Sequence, residues 1–493
     1  MNKMLRKKVN FKVTAALIIL VLMCSISATA LARCTTVVVG KKASADGSIY
    51  IGRNEDYAGN WAKNLKLNPA HKFDEEKIIV SENGFEWKLP EKTFQYMSVE
   101  DANPDLGRFQ EVAINTEQLG VSATNSASQN KKAAAADPLV KTGVGENIIT
   151  TVLAKEAADA REAVKLVGKM VENQGAAECF ALAVADPGEA WIIEVGGGHH
   201  WAAARVPDNK YLILANALRI GEVDLNDQEN YLGSADLIEF AKKHELYDYK
   251  NEPFNFAKAY GTAEDYKEYN YRRVWGGINY FTSSLNPDPE AKNYPLFVKP
   301  DQKIKLSEIM SFLRYHYQES EYDPLKNGVD QRAPGTLKTI ESHVVQLRDN
   351  LPNPIAGITW LAMSSPLGSV YIPYYSGIDQ IPAAYTAADS HYDSKSAYWA
   401  FRELTNLAYS HNQLKLDYVQ GEWQDFEEYQ FKIQAKIEKL ALNLYYQNPE
   451  LGIDFLTEYS NDRALKALHT AYQIRDQITV SYTHLTLPTN REV

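Results

Sequence analysis

The clearest pattern along the chain is a pair of β-branched runs around a polar turn: Thr35-Thr36-Val37-Val38-Val39-Gly40, then Lys41 to Gly47, then Ser48-Ile49-Tyr50-Ile51-Gly52-Arg53. Two such runs flanking a glycine-containing turn predict a hairpin. Further strands are expected at Glu111 to Asn115, Gly120 to Asn125, Phe180 to Ala185, Ala190 to Val195, Trp201 to Val206 and Tyr211 to Asn216. Between them, residues 145–155 and 160–173 carry apolar residues at helical spacing, with Val164, Leu166, Val167, Met170 and Val171 as the stripe, and predict helices packed on a sheet. Strands, then helices, then strands favour an α+β layered sandwich over a doubly wound parallel sheet. The second half differs. Tyrosine-rich stretches around residues 246–282 read as an irregular, aromatic-lined insertion, residues 311–317 as a short helix, and residues 343–375 as strand-like. From Ser394 to about Tyr472 the pattern turns helical, most clearly from Glu428 to Tyr446.

The first 33 residues read as an address. Lys3, Arg6, Lys7, Lys8 and Lys12 precede an uncharged, mostly apolar run from Val13 to Ile26, and small residues follow. That is the layout of a secretory leader, and the run is short for a span of roughly 20 residues; an uncleaved N-terminal anchor is the alternative. Two A-x-A sites lie at Ala28-Thr29-Ala30 and Ala30-Leu31-Ala32, the second leaving only Arg33 ahead of Cys34. The mature protein is therefore expected to be soluble and extracytoplasmic, whether free, periplasmic or bound to the cell wall, with membrane contact only through the leader. The domain reading is a leader at 1–33, a layered strand-and-helix body at 34–393, a helical region at 394–480 and a tail at 481–493. That tail fits no periodic pattern and resembles translated sequencing-adapter read-through, which makes it non-native.

Composition narrows the partners. The chain is 45% hydrophobic and 23% charged, ordinary for a globular protein. Its net charge is −11, and because the leader holds six Lys/Arg and no acid, the rest carries −17. Such a body disfavours nucleic acid and anionic membrane surfaces. Of the three cysteines, Cys24 lies in the leader, so export retains only Cys34 and Cys179, too few for a disulfide framework. One disulfide between them is the bland account of Cys34, and a buried core thiol that of Cys179.

Phosphate-loop, zinc-helix and nucleophile-elbow motifs are absent from the sequence. Gly196-Gly197-Gly198 lacks the third glycine and the following helix of a dinucleotide site. His199 and His200, read as neighbours on a strand, would point to opposite faces, so no metal site and no cofactor is expected. What rises above background is Cys34 with Arg53-Asn54-Glu55-Asp56. A terminal cysteine offers a thiol as nucleophile and an α-amine as base. A guanidinium at Arg53 would favour thiolate, and Asp56, just beyond the second strand, could fold back to orient the amine. A surface Arg/Asp pair at a hairpin exit accounts for the same spacing.

The start C-T-T-V-V-V-G-K-K-A-S-A-D-G-S, followed by G-R-N-E-D, resembles the mature N-terminus of the C69 dipeptidases of the dipeptidase A type, which are N-terminal-nucleophile hydrolases. The likeness continues through Gly120-Val121-Ser122-Ala123-Thr124-Asn125, Glu189 to Glu194, Trp201 to Pro207, Ala215-Asn216, Arg272-Arg273-Val274-Trp275 and Glu341-Ser342-His343. It implies a four-layer αββα sandwich with the nucleophile at the start of a central strand, hydrolysing dipeptides without a metal. Carried over, Cys34 is the nucleophile, Asp56 orients its amine and Arg53 is the charge at the thiol. Asn216 matches the oxyanion-hole amide, while Asn125 and Arg273 match active-site positions of the related acylases. Arg33 must then be removed, for which self-cleavage by Cys34 is the expected route. The competing readings are an N-acyl amide hydrolase of the penicillin acylase or bile salt hydrolase type, and a surface binding protein lipidated at Cys34. Oligomeric state and side-chain preference are left open.

Overall fold

In the computed structural model the described residues are 34–57, 61–103, 107–329, 332–411 and 413–486; the leader and positions 487–493 of the expected tail lie outside them. β1 (Thr35–Val39) and β2 (Ile49–Asp56) form the expected hairpin, with Thr36 opposite Arg53 and Val39 opposite Tyr50. β3 (Lys63–Asn68) follows, then four short strands, β4 (His71–Lys72), β5 (Ile78–Val80), β6 (Glu86–Lys88) and β7 (Lys92–Thr93), in which β4 pairs with β7 and β5 with β6. Next come β8 (Tyr96–Asp101), β9 (Val112–Asn115), β10 (Gly120–Ala127), β11 (Cys179–Ala185) and β12 (Ala190–Val195). β13 (Trp201–Arg205), β14 (Tyr211–Leu214), β15 (Tyr231–Gly233), β16 (Thr339–Leu347), β17 (Ile358–Met363) and β18 (Ile372–Tyr375) complete the set.

Besides those two small ribbons, two large antiparallel sheets result, consistent with the α+β expectation. One has six strands in the order β14-β1-β2-β16-β17-β18, the other eight in the order β15-β13-β12-β11-β10-β9-β8-β3. The sheets share a core: Val38 and Ile51 of the first belong to one buried cluster with Val99, Ala181 and Ala183 of the second. Because side chains alternate along a strand, Leu182 and Val184 turn to the far face of the larger sheet. There they meet the helices Ile149–Glu156 and Ala160–Gln174 through Val152, Val164 and Met170.

The second of those helices is defined at both ends, as its apolar stripe requires. Asp159 accepts from the Glu162 amide at 2.7 Å, and Gly175, with φ of 83°, closes it. Its Gly168 lies against Trp201, where an added Cβ would come within 2.2 Å of the indole. Gly168→Ala is therefore expected to lower unfolding stability by about 1–3 kcal/mol, the scale of core overpacking, measured by denaturant titration.

Four local readings differ from the structure. The tyrosine-rich stretch is not irregular throughout: Glu268–Phe281 is a 14-residue α-helix. Its buried Tyr271, Val274, Trp275 and Ile278 follow helical spacing, masked in the sequence by Gly276 and Gly277. The short helix is Leu306–Leu313 rather than 311–317, because Glu308 caps the Lys305 amide at 2.7 Å and so sets an earlier start. The strand-like stretch at 343–375 divides into β16, β17 and β18. β3 and β8 carry no strand pattern in the sequence, because lysine, asparagine, serine and acids punctuate them.

The helical region contains Ala397–His411, Gln413–Gln447 and Pro449–Thr486, the last running through residues 481–486 of the segment read as a tail. Partly buried ion pairs fix it to the six-stranded sheet and its neighbours: Arg314 with Glu427 at 2.6 Å and Arg348 with Glu438 at 2.9 Å. Tyr385 adds a bond from its hydroxyl to the Ala464 carbonyl at 2.9 Å. Among the described residues no helix is long and apolar enough to cross a membrane.

Candidate active site

Strand alternation decides where the chemistry sits. On β2, Ile51, Arg53 and Glu55 face the second sheet, whereas Asn54 turns to the opposite face, donating to the carbonyls of Leu313 and Pro334 at 2.7 Å each. Cys34, one residue ahead of β1, lies on the inner side with Arg53, and both are fully buried. Arg53 Nη2 donates to Cys34 Sγ at 2.9 Å and to the Thr124 carbonyl at 2.8 Å, and Nη1 donates to Glu111 at 2.9 Å. Burial pushes the Cys34 thiol up to about 12; Arg53 opposes this, while Glu111, Glu55 and Asp56 add to the rise.

The backbone of residue 34 is clamped from three elements. From β10, Asn125 Nδ2 donates to the Cys34 carbonyl at 3.2 Å, and Asn125 Oδ1 accepts from Thr36 at 2.7 Å. β10 slips register against β11 between Ser122 and Asn125, a bulge that lets both of these residues face the other sheet. From the helix Glu268–Phe281, Arg273 Nη1 donates to the same carbonyl at 2.6 Å and Nη2 to Asn216 Oδ1 at 3.0 Å. Asn216, two residues past β14, accepts from the Cys34 nitrogen at 3.1 Å. Its loop is held by Glu194 on β12, whose carboxylate accepts from the amides of Arg219 and Ile220 at 2.7 and 2.9 Å. Burial raises Glu194 to about 7 against the pull of those amides.

The structure thus brings Cys34, Arg53, Asn125, Asn216 and Arg273 together. Asp56 stands apart from the expected fold-back. It is the last residue of β2, not beyond it, and lies opposite Thr339 of β16. There it accepts from Arg332 Nη2 at 2.6 Å and Thr339 Oγ1 at 2.5 Å. Burial raises its carboxyl despite these donors. With Arg33 still joined to Cys34, the acceptor at the nitrogen is Asn216 rather than Asp56.

Two other readings change. Cys34 and Cys179 are both free and buried, so the alternative of a disulfide between them fails. His199 and His200 precede β13 instead of lying on it, and both rings reach Asp137 through Nδ1, at 3.1 and 2.7 Å.

Sequence reading missed the charges behind Arg53: Glu111, Lys63, Asp101 and the pair Glu341–His343, whose Nδ1 and carboxylate lie 3.0 Å apart. One signal was available. Lys63 is in phase with Leu65 and Leu67 on β3, so a cation occupies a core-facing position.

The model of peptidase family C69 matches residues 33–425. A probable dipeptidase of Latilactobacillus sakei is 31% identical over 468 residues, covering 92% of this chain and 96% of the relative. One from Salmonella dublin is 38% identical over 353 residues, with coverages of 70% and 81%. A probable dipeptidase B of Streptococcus pyogenes serotype M1 is 31% identical over 457 residues, with coverages of 88% and 90%. With the match running from the residue before Cys34 through every member of the cluster, this chain belongs to peptidase family C69.

Proposed function

We infer that this protein is a cysteine-type dipeptidase of broad specificity, exported by its leader and active once Cys34 becomes the first residue. The observation that carries this reading is the Arg53 guanidinium at 2.9 Å from the Cys34 sulfur, at the start of a strand clamped by Asn125, Asn216 and Arg273. The relatives' names supply the substrate class. Two facing sheets with helices on their outer sides support the αββα arrangement of N-terminal-nucleophile hydrolases.

In this mechanism the freed α-amine takes the thiol proton, and the sulfur attacks the scissile carbonyl. The oxyanion that forms needs donors about 2.7–3.1 Å away, and the Asn216 side-chain amide is one. Collapse of the intermediate returns the proton to the departing amine of the second amino acid. Water then cleaves the thioester to release the first. Asp56, with Arg332 and Arg273 nearby, supplies the negative charge that steadies the ammonium form of the amine.

Asn216→Ala is expected to lower kcat for dipeptides roughly 10²–10³-fold with little change in KM, the cost of losing one oxyanion donor. The function as a whole is tested by the intact mass of the exported protein, with and without iodoacetamide, beside product assays on dipeptides and on N-acyl amides. A mass starting at Cys34, hydrolysis of dipeptides and its loss on alkylation are expected. Cleavage of acyl amides alone would assign the acylase chemistry, and a diacylglyceryl increment would assign an anchored binding protein. The full burial of Cys34 at the head of β1 speaks against that last outcome.

A further inference from the structure

Arg53 is one end of a line of charge that runs away from the sulfur between the two sheets. Beyond it, Lys63 Nζ lies 3.6 Å from the second oxygen of Glu111 and 2.8 Å from Glu55, and it also contacts Asp101. Lys63 is 1% exposed. Packing does not explain a cation there, since its phase on β3 is that of the core leucines.

Acids outnumber bases in this layer. Glu55 on β2, Asp101 on β8, Glu111 before β9 and Glu341 on β16 surround Arg53 and Lys63, with Glu341 at 4.0 Å from Arg53 and its other contact made to His343. Further out, burial raises Glu146 to about 8 with repulsion from Glu111 adding to it, and burial raises the phenol of Tyr398, from the helix Ala397–His411, against the pull of Arg402 and Lys63. Arg273, bonded to the Cys34 carbonyl, and Asp56 also act on the Cys34 region. Take Lys63 away, and Glu55 and Glu111 still act on Arg53, while Asp101 loses its ion pair. An opposite charge nearby favours a charged group and a like charge disfavours it, so every carboxylate that Arg53 must balance weakens its hold on a thiolate.

We propose that Lys63 is a positioning residue for the reaction at Cys34: by pairing with Glu55, Asp101 and Glu111 it leaves the Arg53 guanidinium to face the sulfur, and so sets the thiolate fraction. This rests on the reading of Cys34 as nucleophile.

The test is the pH dependence of iodoacetamide alkylation in the matured protein, read on the Cys34 peptide by mass spectrometry, for wild type, Lys63→Met, Lys63→Arg and Glu55→Gln. Lys63→Met is expected to move the midpoint up by about one pH unit or more, Lys63→Arg to bring it back close to wild type, and Glu55→Gln to move it down. Dipeptide turnover by Lys63→Met falls about tenfold near neutrality at unchanged KM and recovers at higher pH, since one pH unit of thiol shift is tenfold in thiolate. An unmoved midpoint in folded Lys63→Met would overturn the proposal, as would Lys63→Arg behaving like Lys63→Met. Should Lys63→Met not fold, Glu55→Gln decides by sign, and an upward or absent shift refutes it. The underlying reading fails separately: a Cys34→Ala protein that still hydrolysed dipeptides would remove the nucleophile, while the midpoints would still report whether Lys63 tunes the sulfur.

Discussion

Cys34→Ala is expected to abolish dipeptide hydrolysis, lowering kcat roughly 10⁴-fold or more, the scale on which loss of a covalent nucleophile acts elsewhere. The change is chemically severe and structurally mild. Cys34 Sγ has the Arg53 guanidinium as its polar partner, and that guanidinium keeps Glu111 and the Thr124 carbonyl when the sulfur goes. The backbone bonds from Asn125, Asn216 and Arg273 involve only main-chain atoms of residue 34. Steady-state kinetics on a dipeptide, beside an unfolding curve matching wild type, separate a lost nucleophile from a lost fold. Activity within tenfold of wild type would place the nucleophile elsewhere.

Arg53→Met is the second large effect, and here both stability and chemistry suffer. The side chain is fully buried and lies between Glu111 at 2.9 Å, Glu341 at 4.0 Å and the sulfur. Removing one member of a buried ion pair leaves an uncompensated charge and costs about 3–5 kcal/mol. Arg53 is also the neighbour that pulls the thiol down against burial. Its loss therefore shifts the alkylation midpoint of Cys34 upward, and activity falls at neutral pH in whatever fraction remains folded. Urea unfolding and the alkylation profile measure the two consequences independently. A variant as stable as wild type would mean that the carboxylates take up protons at no cost.

Much of the site was legible in the sequence because it lies on regular elements. Cys34 and Arg53 follow from a hairpin whose β-branched runs and turn set the register. Asn216 stands just past a strand whose apolar run, Tyr211 to Leu214, was visible. Asp56 was harder: its place on the strand, and hence its face, depends on β2 continuing for three residues past Arg53, which polar residues do not advertise. Arg273 was named by resemblance but sat in a stretch read as irregular, since two glycines obscured the helix. Lys63, Asp101 and Glu111 were missed for a different reason. Their meaning comes from pairing between neighbouring strands and between sheets, among residues far apart in the chain, and hydropathy patterning sees only neighbours along it.

The last strand of the six-stranded sheet, β18, is an outer one, and the helices beyond Ala397 lie over it and over β17. An uncovered outer strand presents unpaired amides and carbonyls to any other extended chain, and the buried Ile372, Tyr374 and Tyr375 make this one apolar as well. A chain cut before Ala397 would retain every group around Cys34 and still be prone to stack edge to edge into aggregates. The C-terminal helices thus supply none of the groups that touch Cys34, and their part is to cover strands that would otherwise lie bare.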